Sequence, residues 1–130
     1  MMDQPSMREL VEAVRDFLEQ KAMPELKGHT AFHARVAANV LAIVRRELTL
    51  GPDADRSDAA RLAALLGVAG EASALNQELC RRIEAGEIAP DDPALLEHLW
   101  ATTLDTLAID QPGYATYRRI VADDPARGDG

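Results

Sequence analysis

Apolar residues recur along this chain at spacings of three and four, the period of a helix, and nowhere alternate as they do in a strand. Met7, Leu10, Val11, Val14, Phe17 and Leu18 gather within about 120° of one face, which predicts a one-sided amphipathic first helix. Ser6 followed by Glu9 gives the pattern of a capping box at its start, and Pro24 ends or bends it. A second segment opens near Thr30, after Gly28, and runs to Leu50, where Gly51 and Pro52 predict a stop. On a wheel with His33 at 0°, Ile43, Val36, Val40, Val44, Ala37, Leu48 and Leu41 spread from about 280° to 80°. Ala34, Ala38 and Ala42 extend a small-residue surface that lets neighbouring helices approach closely. So broad an arc predicts a central helix touched on several sides.

A short helix is expected over Ala54 to Leu66 with Leu62, Leu65 and Leu66 inward, broken by Gly67 and Gly70. The next, Ala72 to Ala85, carries Leu75, Leu79 and Ile83 at four-residue spacing and has Gly86 to cap it. Asp92 as cap and Pro93 in the first turn open a fifth helix, whose buried side is marked by Leu95, Leu96, Leu99, Trp100, Leu104 and Leu107. Pro112 and Gly113 end it, and Tyr114 to Val121 fits one further short turn or helix. Connections of about 4 to 10 residues favour antiparallel neighbours. The expectation is an all-α, single-domain bundle of about five helices around a long central helix at about 30–50. The domain covers 1–121, and 122–130 is read as a flexible acidic tail.

Composition narrows the function classes. At 130 residues, 47% hydrophobic and 28% charged, the chain suits one globular domain. Its net charge of −8 is concentrated in residues 66–130, where 5 basic groups face 12 acidic ones. A surface of that sign repels phosphate backbones and anionic lipid heads, so neither nucleic acid nor a membrane is an expected partner. The polar stretch from Met1 to Leu10 lacks the apolar core of a secretory signal, and no run of about 18 apolar residues occurs. One cysteine, Cys80, allows neither an internal disulfide nor a cysteine-rich zinc site. The cytoplasm is the default location.

Candidate chemistry is sparse, and no pattern names a reaction. His29 and His33 stand four apart, the spacing of a two-histidine metal face, but His29 precedes the predicted helix and no Glu-x-x-His pair supports it. No metal or cofactor is expected. His33 falls in the middle of the apolar arc, as a satisfied core histidine or as an acid, base or ligand contact. Arg35 and Asn39, four apart at the border of that arc, can together hold a carboxylate or phosphate. The simpler use of Arg35 is an internal partner, for which Asp110 is the candidate. Cys80, mid-helix in the acidic half beside Asn76, reads as an inert core filler rather than a nucleophile. Arg45-Arg46, Arg81-Arg82 and Arg118-Arg119 read as pairs on solvated faces.

The string Phe32-His33-Ala34-Arg35-Val36-Ala37-Ala38-Asn39-Val40-Leu41, followed by Gly51-Pro52, resembles a family of small bacterial proteins known only as a domain of unknown function. The resemblance takes in Leu62 to Gly67, Leu75-Asn76 to Leu79-Cys80, and Asp110-Gln111-Pro112-Gly113-Tyr114, and covers about residues 6–114. The family typically reads Asp-Asn-Pro-x-Tyr at that last motif, so Gln111 departs from it. Members are often encoded beside proteins similar to aminoglycoside phosphotransferases, with acyl-CoA dehydrogenase-like proteins nearby. The resemblance therefore implies an accessory role in acyl-CoA or hydroxyacyl metabolism. The motif positions carried over to this chain are Phe32, His33, Arg35, Asn39, Asp110, Pro112 and Tyr114.

Three readings follow. The first is a non-catalytic accessory module that binds a phosphotransferase-like or acyl-CoA dehydrogenase-like protein. The second is a small enzyme or anionic-ligand-binding subunit whose pocket gathers His33, Arg35, Asn39, Asp110 and Tyr114, with Arg35 holding the anion and His33 moving a proton. The third, compatible with the first, is a homo-oligomer whose broad helix faces pair across a two-fold axis.

Overall fold

The computed structural model describes residues 4–124, so Ala122 to Asp124 of the expected tail are seen and 125–130 lie outside the described residues. The chain is all-α. Its helices are α1 (Met7–Phe17), α2 (Gly28–Leu66), α3 (Ala72–Glu84), α4 (Pro93–Asp110) and α5 (Ala115–Asp123), with no strand among the described residues. The chain divides into two compact units, Met1–Pro52 and Asp53–Gly130, and the division falls inside α2.

The long helix expected over 30–50 is present and extends through its expected stop. Gly51 and Pro52 do not end it; α2 runs 39 residues with Pro52 inside, absorbing the helix expected from Ala54. A proline removes one backbone donor and crowds the carbonyl four residues back, here that of Leu48, at roughly 3 kcal/mol. That cost is local, and helix-favouring residues on both sides carry the helix across it. The expected segment at Tyr114 to Val121 is realised as α5, so five helices result from one merger and one addition.

In the first unit, Ser6 caps α1. Its hydroxyl accepts the Glu9 backbone N–H at 3.2 Å and donates to the Glu9 carboxylate at 3.2 Å, so half of the predicted capping box forms. Beyond Phe17 the helix loosens into a π turn, Leu18–Ala22, and a 3-10 turn, Met23–Glu25, that takes up Pro24. Ala34 and Ala38 are buried on the side of α2 from which the Arg45 guanidinium reaches the Glu12 carboxylate of α1 at 3.2 Å. Both belong to the small-residue surface expected on this helix. The valines of the broad arc point elsewhere: Phe32, Val36, Val40 and Val44 are 59%, 42%, 50% and 38% exposed.

In the second unit, Leu62 and Leu66 from α2, Leu75 and Leu79 from α3, and Leu95 from α4 form one buried cluster, flanked by Ala63, Leu65, Ile83 and Ile88. The positions expected to face inward on α3 do so. Gly67 ends α2 at a φ of +73° and Gly86 follows α3 at +74°, left-handed conformations that glycine adopts without strain. Arg82 donates to the Leu66 carbonyl at 2.9 Å, tying α3 to the end of α2, and to Glu78 at 2.9 Å. Hydrogen bonds from Arg81 and Arg82 hold the Glu78 carboxyl down at about 2. Arg81 is exposed but also donates to Glu87 at 3.2 Å, so neither member of the pair is a free solvated arginine. Asp92 caps α4 by accepting the Leu95 N–H at 3.0 Å, with Pro93 in the first turn, as predicted.

The buried side of α4 departs from expectation. Leu95 and Leu104 are buried, but Leu96, Leu99 and Trp100 are exposed and His98 is inside. Cys80, expected as a core filler, is exposed. Leu96 and Cys80 follow from geometry: with Leu95 and Leu79 fixed in the core, the next residue turns about 100° from it.

Two stability measurements check this account. Leu62, fully buried, is the centre of the leucine cluster, and Leu62→Ala is expected to lower unfolding stability by about 2 to 5 kcal/mol in urea titrations. Pro52→Ala restores the missing amide and is expected to raise the melting temperature; a fall would mean that the proline itself is required at this position.

Candidate functional site

The residues singled out in the sequence are all on the surface. His33, Arg35 and Asn39 are exposed on α2 in the first unit; Asp110, at the end of α4, and Tyr114, the cap of α5, are exposed in the second. His33 is therefore not a core histidine, and its ring meets Phe32 edge-on at 5.5 Å. Arg35 and its expected partner Asp110 belong to different units. His29 is exposed in the first turn of α2, and among the described residues no group of three or more His, Cys, Asp or Glu is placed to hold a metal ion. No helix among the described residues is long and apolar enough to cross a membrane.

The structure gathers a different set in the second unit. α4 presents His98, Thr102 and Asp105, spaced four and three apart and hence on one helical stripe, toward Asp58 and Arg61, three apart on α2. His98 is only 4% exposed. Its Nε2 lies 3.6 Å from Asp58 Oδ1, and the Thr102 hydroxyl donates to that same oxygen at 3.0 Å. Arg61 sits between carboxylates, its Nη2 3.5 Å from Asp58 and 3.5 Å from Asp105, and donates to Thr102 Oγ1 at 3.4 Å. Beside this cluster opens a cavity of about 650 Å³ lined by Arg61, Leu65, Glu97, His98, Trp100 and Asp124, with three alanines completing the wall.

The electrostatics follow from this arrangement. Burial pushes the His98 ring below its ordinary value of 6.5; the Asp58 carboxylate opposes that shift and the Arg61 guanidinium adds to it. The ring is thus neutral at pH 7. With a carboxylate facing Nε2, the ring proton belongs on that nitrogen, which leaves Nδ1 as a bare acceptor. Nδ1 is buried and has no hydrogen-bond partner among the described residues, and neither has Arg61 Nε. An unsatisfied buried polar atom costs about 1 to 3 kcal/mol, so these two atoms mark the place where the fold gives up stability. The hydroxyl in the cluster is engaged by Asp58 rather than by the imidazole.

The signal for this cluster was available in the sequence. His98, Thr102 and Asp105 form an i, i+4, i+7 polar stripe, and Asp58 and Arg61 an i, i+3 pair, on helices expected to be buried on one side. The leucines of α4 outweighed it, because hydrophobicity marks two faces of this helix and only packing selects between them.

The family described as a domain of unknown function, DUF6285, matches residues 24–114, and the chain belongs to that family. No curated protein and no solved structure matches the chain. The matched span contains α2, α3 and α4 with all five residues of the polar cluster; α1 and α5 lie outside it.

The depressed His98 value fixes the sign of a pH dependence. The unfolded chain binds the proton at about 6.5 and the folded one only at lower pH, so stability is full above about 6.5 and falls as pH drops below it, by at most about 1.4 kcal/mol per pH unit. Urea midpoints between pH 8 and 5.5 are expected to show this fall and to show less of it in His98→Gln. An undiminished slope in the variant assigns the titration to another group.

Proposed function

We propose that this member of the family is a non-catalytic interaction module that pairs with a second copy of itself through the valine face of α2. The observation that carries the reading is the stripe Phe32, Val36, Val40 and Val44, one large apolar side chain every four residues, left in water while the alanine side of the same helix is buried. Met7, Leu10, Val14 and Phe17 leave α1 with an exposed apolar stripe as well. The four α2 side chains alone expose on the order of 300 Å² of apolar surface along one face, a stripe rather than scattered hydrophobics.

A second copy suits this surface because the stripe carries no net sign of charge and is complementary to itself. An antiparallel two-fold centred on Val40 sets Val36 against Val44 of the other copy and His33 against its Glu47, an attractive pair at each end. The phosphotransferase-like or acyl-CoA dehydrogenase-like neighbours implied by the resemblance make such an enzyme the protein that a dimer serves, as an accessory in cytoplasmic acyl-CoA metabolism. His33, Arg35 and Asn39, exposed along the same stretch of α2, then contact a protein surface rather than bind a small anion.

Sedimentation at about 50 µM is expected to give twice the 14.1 kDa mass of the chain, and Val40→Glu to give the monomer with its helical circular dichroism unchanged. A wild-type protein that sediments as a monomer at that concentration removes the self-pairing.

A further inference from the structure

The cavity beside His98 is left unexplained by an interaction role on α2, and its chemistry is specific. Two of its walls are apolar, Leu65 with alanines 64, 94 and 101, and Trp100, whose side chain is 53% exposed at the edge. His98, nearly buried, is part of its lining, and the covered Nδ1 of that imidazole has no partner among the described residues. The charge around it is one-sided. Arg61 is the cation in the lining, and it is held between Asp58 and Asp105, while Glu97 and Asp124 also line the wall. An anionic guest would meet the carboxylates of Glu97 and Asp124 and a guanidinium already matched by Asp58 and Asp105 behind the wall. A cationic guest meets a carboxylate at Glu97, a bare acceptor at His98 and an indole face that attracts positive charge.

We propose that this cavity binds a small organic cation, a protonated primary or secondary amine bearing a flat apolar group. On binding, the His98 ring turns to bring its covered Nδ1 to the ammonium N–H, Glu97 supplies the opposite charge, and the apolar group lies against Trp100 and Leu65. The guest satisfies the one buried histidine nitrogen that the fold leaves without a partner, which is the reason for a donor rather than a quaternary cation. The volume of about 650 Å³ lies in the ordinary range for small-molecule sites, roughly 300 to 1,000 Å³. The site is independent of the valine face of α2, since all its residues come from the second unit.

Trp100 is the single tryptophan of the chain, so its emission reports on the cavity directly. Phenethylammonium and its carboxylate counterpart 3-phenylpropionate, titrated at pH 8 into the full chain, separate charge from shape. The expected result is a saturable change in Trp100 emission with the amine, and affinity at least about 10-fold weaker for the carboxylate. Glu97→Gln, at an exposed position, is expected to weaken the amine about 3- to 5-fold, the range of a solvent-reachable ion pair. Ala64→Phe, which fills the cavity from an exposed helix position, is expected to abolish saturation. The proposal is overturned by equal or tighter binding of the carboxylate, by saturation that persists in Ala64→Phe, or by no saturable change with the amine up to about 20 mM.

Discussion

Burial of five leucines from three helices is the interaction on which the second unit depends. Leu62 and Leu66 set the rotation of the end of α2, Leu75 and Leu79 that of α3, and Leu95 that of α4. Each leucine taken out of water contributes about 2 kcal/mol, and no polar contact in the unit matches their sum. Once those rotations are fixed, the remaining positions have no choice of face. His98 is three residues from Leu95 and Thr102 seven, so both are carried inward with it, and Asp58 and Arg61, four and one residues before Leu62, are carried to meet them. The polar cluster is thus a by-product of leucine packing, held at the margin of the core and given hydrogen bonds there because burial without them is expensive. Arg82 shows the same dependence at the surface, reaching the last carbonyl of α2 only because the leucines hold α3 beside it.

Much of the fold was legible because its determinants are local. The caps at Ser6 and Asp92, the glycines at 67 and 86 and the four-residue spacing of Leu75 and Leu79 act through neighbours within one or two turns, and each stands where the sequence puts it. What misled was also local. Gly51-Pro52 is a strong stop signal when read alone, but its cost is one lost hydrogen bond, and a helix supported on both sides absorbs it. The site was less legible than the fold. The conspicuous residues His33, Arg35 and Asn39 lie on a part of α2 that faces solvent, whereas His98 is surrounded in sequence by leucines that mask it. Which of two apolar faces packs is decided by partners far along the chain, and that information is absent from the periodicity of a single helix.

α2 answers to two different demands in its first half. Toward α1 it presents alanine, where the constraint is distance between backbones; on the other side it presents valine and phenylalanine, where no neighbour within the first unit sets a limit. A sequence under pressure for folding alone would replace the second set with polar residues at little cost to the unit. Four large apolar groups in register on one face, in a chain with a net charge of −8, form a stripe rather than isolated surface hydrophobics.

The same asymmetry divides the ways in which this helix can fail. A bulkier residue at Ala34 or Ala38 must push two backbones apart, so its damage appears as unfolded protein and is felt by every copy regardless of concentration. A polar residue at Val36 or Val40 meets water instead, fills no space that another backbone needs, and leaves the chain folded. Substitution at the alanines therefore threatens the fold itself, while substitution at the valines changes only what the folded chain shows to its surroundings.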